Sequence, residues 1–154
     1  MPRMAPSLNA GLKTLVGSGD VVDHRVSATL GLVRKLVEFE VAGRPATFAT
    51  AHEAAWKAAV RGAIADTGIV PPEGEPRFSV RMEFRTAAPR NVNERWDIDN
   101  LVKPTLDAME GVLGARQWRG ISQPADDRVD HLEATKRTVR PDESVGARVE
   151  VWLL

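Results

Sequence analysis

Hydrophobic and polar residues alternate most cleanly in "RFSVRMEFR" (77–85). Phe78, Val80, Met82 and Phe84 point one way, and Arg77, Ser79, Arg81, Glu83 and Arg85 the other, so the segment predicts a strand with one face on a core. The same period runs through Leu36–Val41, with Val37, Phe39 and Val41 on one face, and through "ARVEVWLL", with Val149, Val151 and Leu153 inward. "RVDHLEATKRTV" reads as extended, with Leu132 and Ala134 on one side, and "RPDESVG" predicts a turn that joins these last two strands as an antiparallel hairpin. The period changes in "TAHEAAWKAAVRGAIADTG". Ala55, Trp56, Ala59, Val60, Ala63 and Ile64 recur at helical spacing, Thr50 and Glu53 have capping-box spacing, and Gly68 ends the helix. A second helix follows Asp99, with Leu101, Leu106, Met109, Val112 and Leu113 on its apolar stripe; Pro104 falls near its first turn, where few backbone donors are engaged. "TAAPRNVNERW" and "GARQWRGISQPA" read as loops. The order β-α-β-α-β-β predicts an α+β domain: a small mixed sheet with two helices packed on it.

Residues 1–33 break this pattern. They are rich in Gly, Ser and Thr and predict an N-terminal extension, with a short helix over Leu8–Val16 ended at Gly17, ahead of one domain over 34–154. At 154 residues the chain is long enough for one real core. It has no cysteine, which removes disulfides, zinc-thiolate sites and thiol nucleophiles. No apolar run approaches the roughly 18 residues of a membrane span, and "MPRMAPSLNAGLK" lacks a signal-peptide core, so the expectation is a cytoplasmic protein. A formal net charge of zero gives no global field for a polyanion, so contact with nucleic acid would depend on local patches.

The candidate chemistry lies in "ERWDIDNLVKPTLDAMEG". Asp99 alone would be an ordinary helix cap; Asp97 is left over. In an extended D-I-D segment the two aspartates share a face while Ile98 turns to the core. Paired carboxylates repel, and a divalent cation removes that penalty; hard oxygen donors suit Mg²⁺ or Mn²⁺. Asp126 and Asp127, at the start of the next strand, offer a third acid if that strand lies beside the first pair. Lys103 lies one turn after Asp99 and faces the same way, where a lysine can hold a phosphate or a leaving oxygen; Lys136 is a further basic candidate.

"WDIDNLVKPTLDAMEGVL" followed by "ADDRVDHLEATK" resembles the RusA-like Holliday junction resolvases, whose signature is D-x-D-N-L-x-K, a helix with L-D-A-L, and a D-D pair opening a strand. "LVEFEVAGRP" is similar to the family's first strand and turn, and the resemblance spans roughly 36–154. It implies a homodimeric, Mg²⁺-dependent endonuclease that resolves four-way DNA junctions by paired symmetric nicks leaving 5′-phosphates. It further implies Asp97, Asp99 and Asp127 as metal-binding acids, Asp126 as the neighbour of the third acid that assists at the metal, and Lys103 as the catalytic lysine. The link "GARQWRGISQPA" is longer than the family's usual one, and residues 1–33 have no recognised counterpart.

Branched DNA needs a basic face. Arg85, Arg90 and Arg95 crowd the approach to Asp97, while Arg116 and Arg119 flank Trp118, a combination suited to a phosphate and an unstacked base. Trp56, Trp96 and Trp152 are assigned to packing; His24, His52 and His131 lack ligand spacing. Two other functions fit parts of the pattern. A binding module of the same fold would gain nothing from acids beside a phosphate backbone. A Mg²⁺ enzyme acting on a small phosphate ester would want a phosphate loop such as G-x-x-x-x-G-K, which is missing.

Overall fold

A computed structural model describes residues 33–154. The expected extension and its helix over 8–16 therefore lie outside the described residues, save Val33. The elements are β1 (Arg34–Ala42), α1 (Glu53–Asp66), β2 (Phe78–Thr86), α2 (Ile98–Leu106), α3 (Glu110–Leu113), β3 (Ala115–Trp118), β4 (Ile121–Pro124), β5 (Val129–Thr138) and β6 (Gly146–Leu153). The class is α+β, as expected. A four-stranded mixed sheet runs β1-β6-β2-β5, and β3 and β4 form a separate two-stranded sheet.

The alternation of β2 explains the core. Phe78, Val80, Met82 and Phe84 are fully buried and meet Phe39 and Val41 of β1 and Val149 and Val151 of β6 on one face. Trp56, Val60 and Ile64 of α1 close that face together with Leu101, Met109, Val112 and Leu113. The opposite face carries cross-strand ion pairs: Arg77 with Asp130, Arg81 with Glu133 and Arg137 with Glu83. Trp152 lies on this face between Lys35 and Arg81, 5.6 and 5.4 Å from its ring.

The final two strands do not form the expected hairpin. β6 inserts between β1 and β2, antiparallel to both, while β5 pairs in parallel with β2. The apolar content decides this. β6 buries Ala147, Val149 and Val151 completely and suits the centre. β5 carries His131, Glu133, Lys136 and Arg137 and suits an edge, where charge discourages further pairing.

Three local expectations also change. The capping box does not close: Glu53 Oε2 accepts from the Ala49 backbone N–H at 2.6 Å, and the Thr50 hydroxyl donates to the Thr47 carbonyl. Ala49, at φ 59°, turns the chain so that its own N–H meets Glu53. The second helix is two helices. Pro104 sits inside α2, beyond the first turn; it cannot donate to the Asn100 carbonyl, which instead accepts from the Phe48 N–H at 3.3 Å. The end of α2 tightens, with Ala108 bonding Thr105 and Met109 bonding Leu106, and the chain restarts as α3. Gly111 permits this packing, because a Cβ there would fall 2.8 Å from Ile64 Cγ2. Third, "GARQWRGISQPA" is not a loop but the β3–β4 hairpin, turning through Arg119 and Gly120 at φ 50° and 77°. Two residues between facing strands, the second a glycine, were the available signal. Among the described residues no helix is long and apolar enough to cross a membrane.

Candidate active site

The segment leading from β2 to α2 is built before any functional group is placed. Asn91 Oδ1 accepts from the Asn93 N–H at 2.9 Å and starts a 3₁₀ turn over Val92–Glu94. Arg90 closes it, giving its backbone N–H and its guanidinium to Glu94 at 2.8 and 2.5 Å. Arg90 is therefore already paired rather than a free cation for DNA. Its guanidinium, then its backbone N–H, hold the Glu94 carboxyl at about 2. A folded value below the ordinary one of about 4.3 stabilises the fold fully above that pH, and the contribution is lost as pH falls toward the folded value. Glu94→Gln should thus be less stable than the parent at neutral pH. The gap in urea midpoint should shrink below about pH 4; a gap that does not change with pH would refute the pairing.

Asp97 is the N-cap of α2 with extended backbone, φ −70° and ψ 145°, and its side chain makes no capping hydrogen bond. The helix begins at Ile98, so D-I-D is not an extended run. Asp99 stands in the first turn, and Ile98 is half-buried on a groove wall instead of in the core. What the two exposed aspartates share is the amino end of α2, where free N–H groups and the helix dipole favour negative charge.

Asp99 and Lys103 line one groove of about 610 Å³, with Phe48, Ile98, Leu106 and Leu132 among its apolar walls. The expected shared face of Asp99 and Lys103 is therefore present. The Lys103 ammonium pairs with Asp107 one turn on, and Asp107 also pairs with Lys57 of α1 at 3.4 Å. Sequence reasoning missed both Asp107 and Phe48. The K-x-x-x-D spacing was the available signal for the first; Phe48 gave none. Lys136 donates to the Trp96 carbonyl, next to Asp97, and so belongs to this site more closely than its distance in sequence implies.

Asp126 and Asp127 lie elsewhere. They form the 3₁₀ turn Asp126–Arg128 before β5. Arg116 Nη2 donates to Asp126 at 3.0 Å, and its Nε lies 3.5 Å from Asp127. That Nε is buried without a hydrogen-bond partner. The topology separates these acids from the first pair. α2 starts beyond the carboxyl end of β2, and Lys136, late in β5, reaches Trp96; the second pair precedes the amino end of β5. Val129 to Lys136 alone spans roughly 23 Å of strand. Among the described residues no three acidic or histidine groups come together to hold a metal ion. Asp97 and Asp99 alone match what Mg²⁺ commonly takes from protein, namely one or two carboxylates, with water and phosphate oxygens filling the rest.

The remaining basic candidates divide. Arg85 is paired with Glu40 at 2.5 Å on the outer face of the sheet, away from the helix layer. Arg95 and Arg119 are exposed and form no ion pair among the described residues. Arg116, Trp118 and Arg119 all lie on the β3–β4 hairpin. Trp56 and Trp96 pack on the core as expected. His131 Nδ1 is 3.0 Å from Ser79 Oγ, and His52 is exposed.

Compared with known families, the chain matches the one described as Endodeoxyribonuclease RusA over residues 34–116. The matched segment contains Asp97, Asp99 and Lys103 and stops short of Asp126 and Asp127. No curated protein matches the chain.

Proposed function

The chain belongs to the RusA endodeoxyribonuclease family, and from that membership we propose that it resolves four-way DNA junctions by hydrolysing phosphodiesters with Mg²⁺. The observation that carries this reading is the amino end of α2: two exposed carboxylates, Asp97 and Asp99, with Lys103 on the same groove wall as Asp99. All three fall inside the segment shared with the family.

Asp97 and Asp99 would hold the ion, with Mn²⁺ as a substitute, and phosphate oxygens would supply further ligands. Bound there, the ion would lower the pKa of a water and neutralise charge developing on the phosphate. Lys103 exchanges its Asp107 partner for the phosphate and stabilises the leaving 3′ oxygen. Lys136 and Arg95 sit beside the same strand-to-helix segment and bind flanking phosphates. Asp127 is the third acid of the sequence pattern, but in the free chain it lies outside this set, held near Arg116. Two nicks placed symmetrically across a junction call for two copies of the site related by a two-fold axis, so the active species is a homodimer.

The test is incubation with a four-way junction, a matched linear duplex and a flap, each with Mg²⁺ and with EDTA. Paired symmetric nicks in the junction alone, abolished by EDTA, are expected. Binding without cleavage would overturn the reading in favour of a non-catalytic binding protein.

A further inference from the structure

The geometry points to the β3–β4 hairpin as a wedge that enters the base stack at a DNA branch point, with Trp118 and Ile121 as the inserted side chains. This inference rests on the junction-cleaving reading above. Trp118 and Ile121 are register partners flanking the two-residue turn, so they stand together at the tip. They are 52% and 63% exposed, an apolar pair left largely open among the described residues. The Arg116 and Arg119 guanidinium groups lie 5.8 and 5.7 Å from the Trp118 ring.

An apolar tip with two guanidiniums beside its ring matches one partner chemistry well. Bases stack on the ring, the Arg119 guanidinium, unpaired among the described residues, meets a neighbouring phosphate, and Arg116, held by Asp126, supports the ring. A branch point favours entry because base stacking is already interrupted there.

A wedge must also be stiff where it meets the body. Here the Ala125 N–H donates to the Gly114 carbonyl at 2.9 Å across the hairpin's base. Arg116 bonds Asp126, and Arg128 Nη1 donates to the Leu113 carbonyl. Arg116 therefore has two roles, supporting the ring and tying the hairpin to the turn before β5. The segment shared with the family ends at Arg116, so Trp118, Arg119 and Ile121 lie beyond it. The wedge lies outside the matched segment and acts on substrate choice, not on the hydrolytic step.

The experiment uses the full chain in EDTA, so that no strand is cut, with 2-aminopurine placed either at the branch point or within an arm of a junction. The parent protein should raise fluorescence at the branch point and not in the arm. Trp118→Ala should abolish that rise and weaken binding to the junction by roughly tenfold, with duplex binding unchanged. Trp118→Phe should restore much of it. Because the ring is exposed, the thermal melting of both variants should match the parent. Three outcomes overturn the wedge: equal signals at branch and arm while the junction is bound, an unchanged rise in Trp118→Ala, or Trp118→Ala converting a sedimenting dimer to monomer without changing the fluorescence. The last would assign the tip to a second copy of the chain. If the parent cuts junctions in Mg²⁺ but any of these holds, the wedge falls and the nuclease stands. If it neither binds nor cuts junctions, both fall.

Discussion

Replacing Asp99 with Asn is expected to lower Mg²⁺-dependent junction cleavage on the order of 1000-fold, the scale of losing an electrostatic stabiliser of the transition state. The substitution keeps the size and polarity of the side chain while removing the charge that makes it a good ligand for a hard cation. Asp99 is exposed in the first turn of α2, so the thermal unfolding midpoint should barely move. Junction binding in EDTA should hold or tighten, since one negative charge beside the phosphates is gone. Asp127→Asn is the informative comparison. Asp127 stands before β5 beside Arg116, apart from the amino end of α2. A loss as complete as that of Asp99→Asn would mean that Asp127 reaches the ion once DNA is bound; a mild loss would leave the ion to Asp97 and Asp99. Full Mg²⁺-dependent activity in Asp99→Asn would sink the assignment of the site.

How far the sequence carried this site depends on whether each feature is local. The β2 alternation and the apolar stripe from Leu101 to Leu113 were legible, because burial of one face imposes a period on neighbouring residues. The shared face of Asp99 and Lys103 was legible for the same reason, being four residues on one helix. Strand order was not. "RPDESVG" fits a hairpin turn as well as it fits the crossover that carries the chain from the β5 edge to the centre of the sheet. Only the comparison of β5's charges with β6's three fully buried residues separates the two. The placement of Asp126 and Asp127 inherits that difficulty. β5 does pass beside α2, but its direction and register, which put its start far from α2's amino end, are properties of the β2–β5 pairing. The hairpin at 115–124 was hidden differently. Its strands are four residues each and largely exposed, so burial imposes little pattern on them.

Trp56→Ala should destabilise the fold by about 3–5 kcal/mol, the usual range for emptying a large aromatic site. The ring is 2% exposed and fills the space between α1 and the sheet. Its Nε1–H donates to Thr105 Oγ1 at 3.0 Å, and that hydroxyl in turn donates to the Leu101 carbonyl at 2.9 Å. The pair ties α1 to the helix that carries Asp97, Asp99 and Lys103. Trp56→Phe keeps most of the bulk and loses the donor, so it should cost less, about 1–3 kcal/mol. Urea unfolding of the parent and both variants measures this order, and equal midpoints for Trp56→Ala and the parent would contradict the packing. The consequence for activity differs in kind from that of Asp99→Asn. Loss of the tryptophan acts by depleting folded protein and loosening α2, so cleavage should fail near the lowered unfolding temperature and recover on cooling. Loss of the carboxylate leaves a stable protein that stays inactive at every temperature. That contrast separates the residue that holds the helix from the residue on it that is proposed to hold the ion.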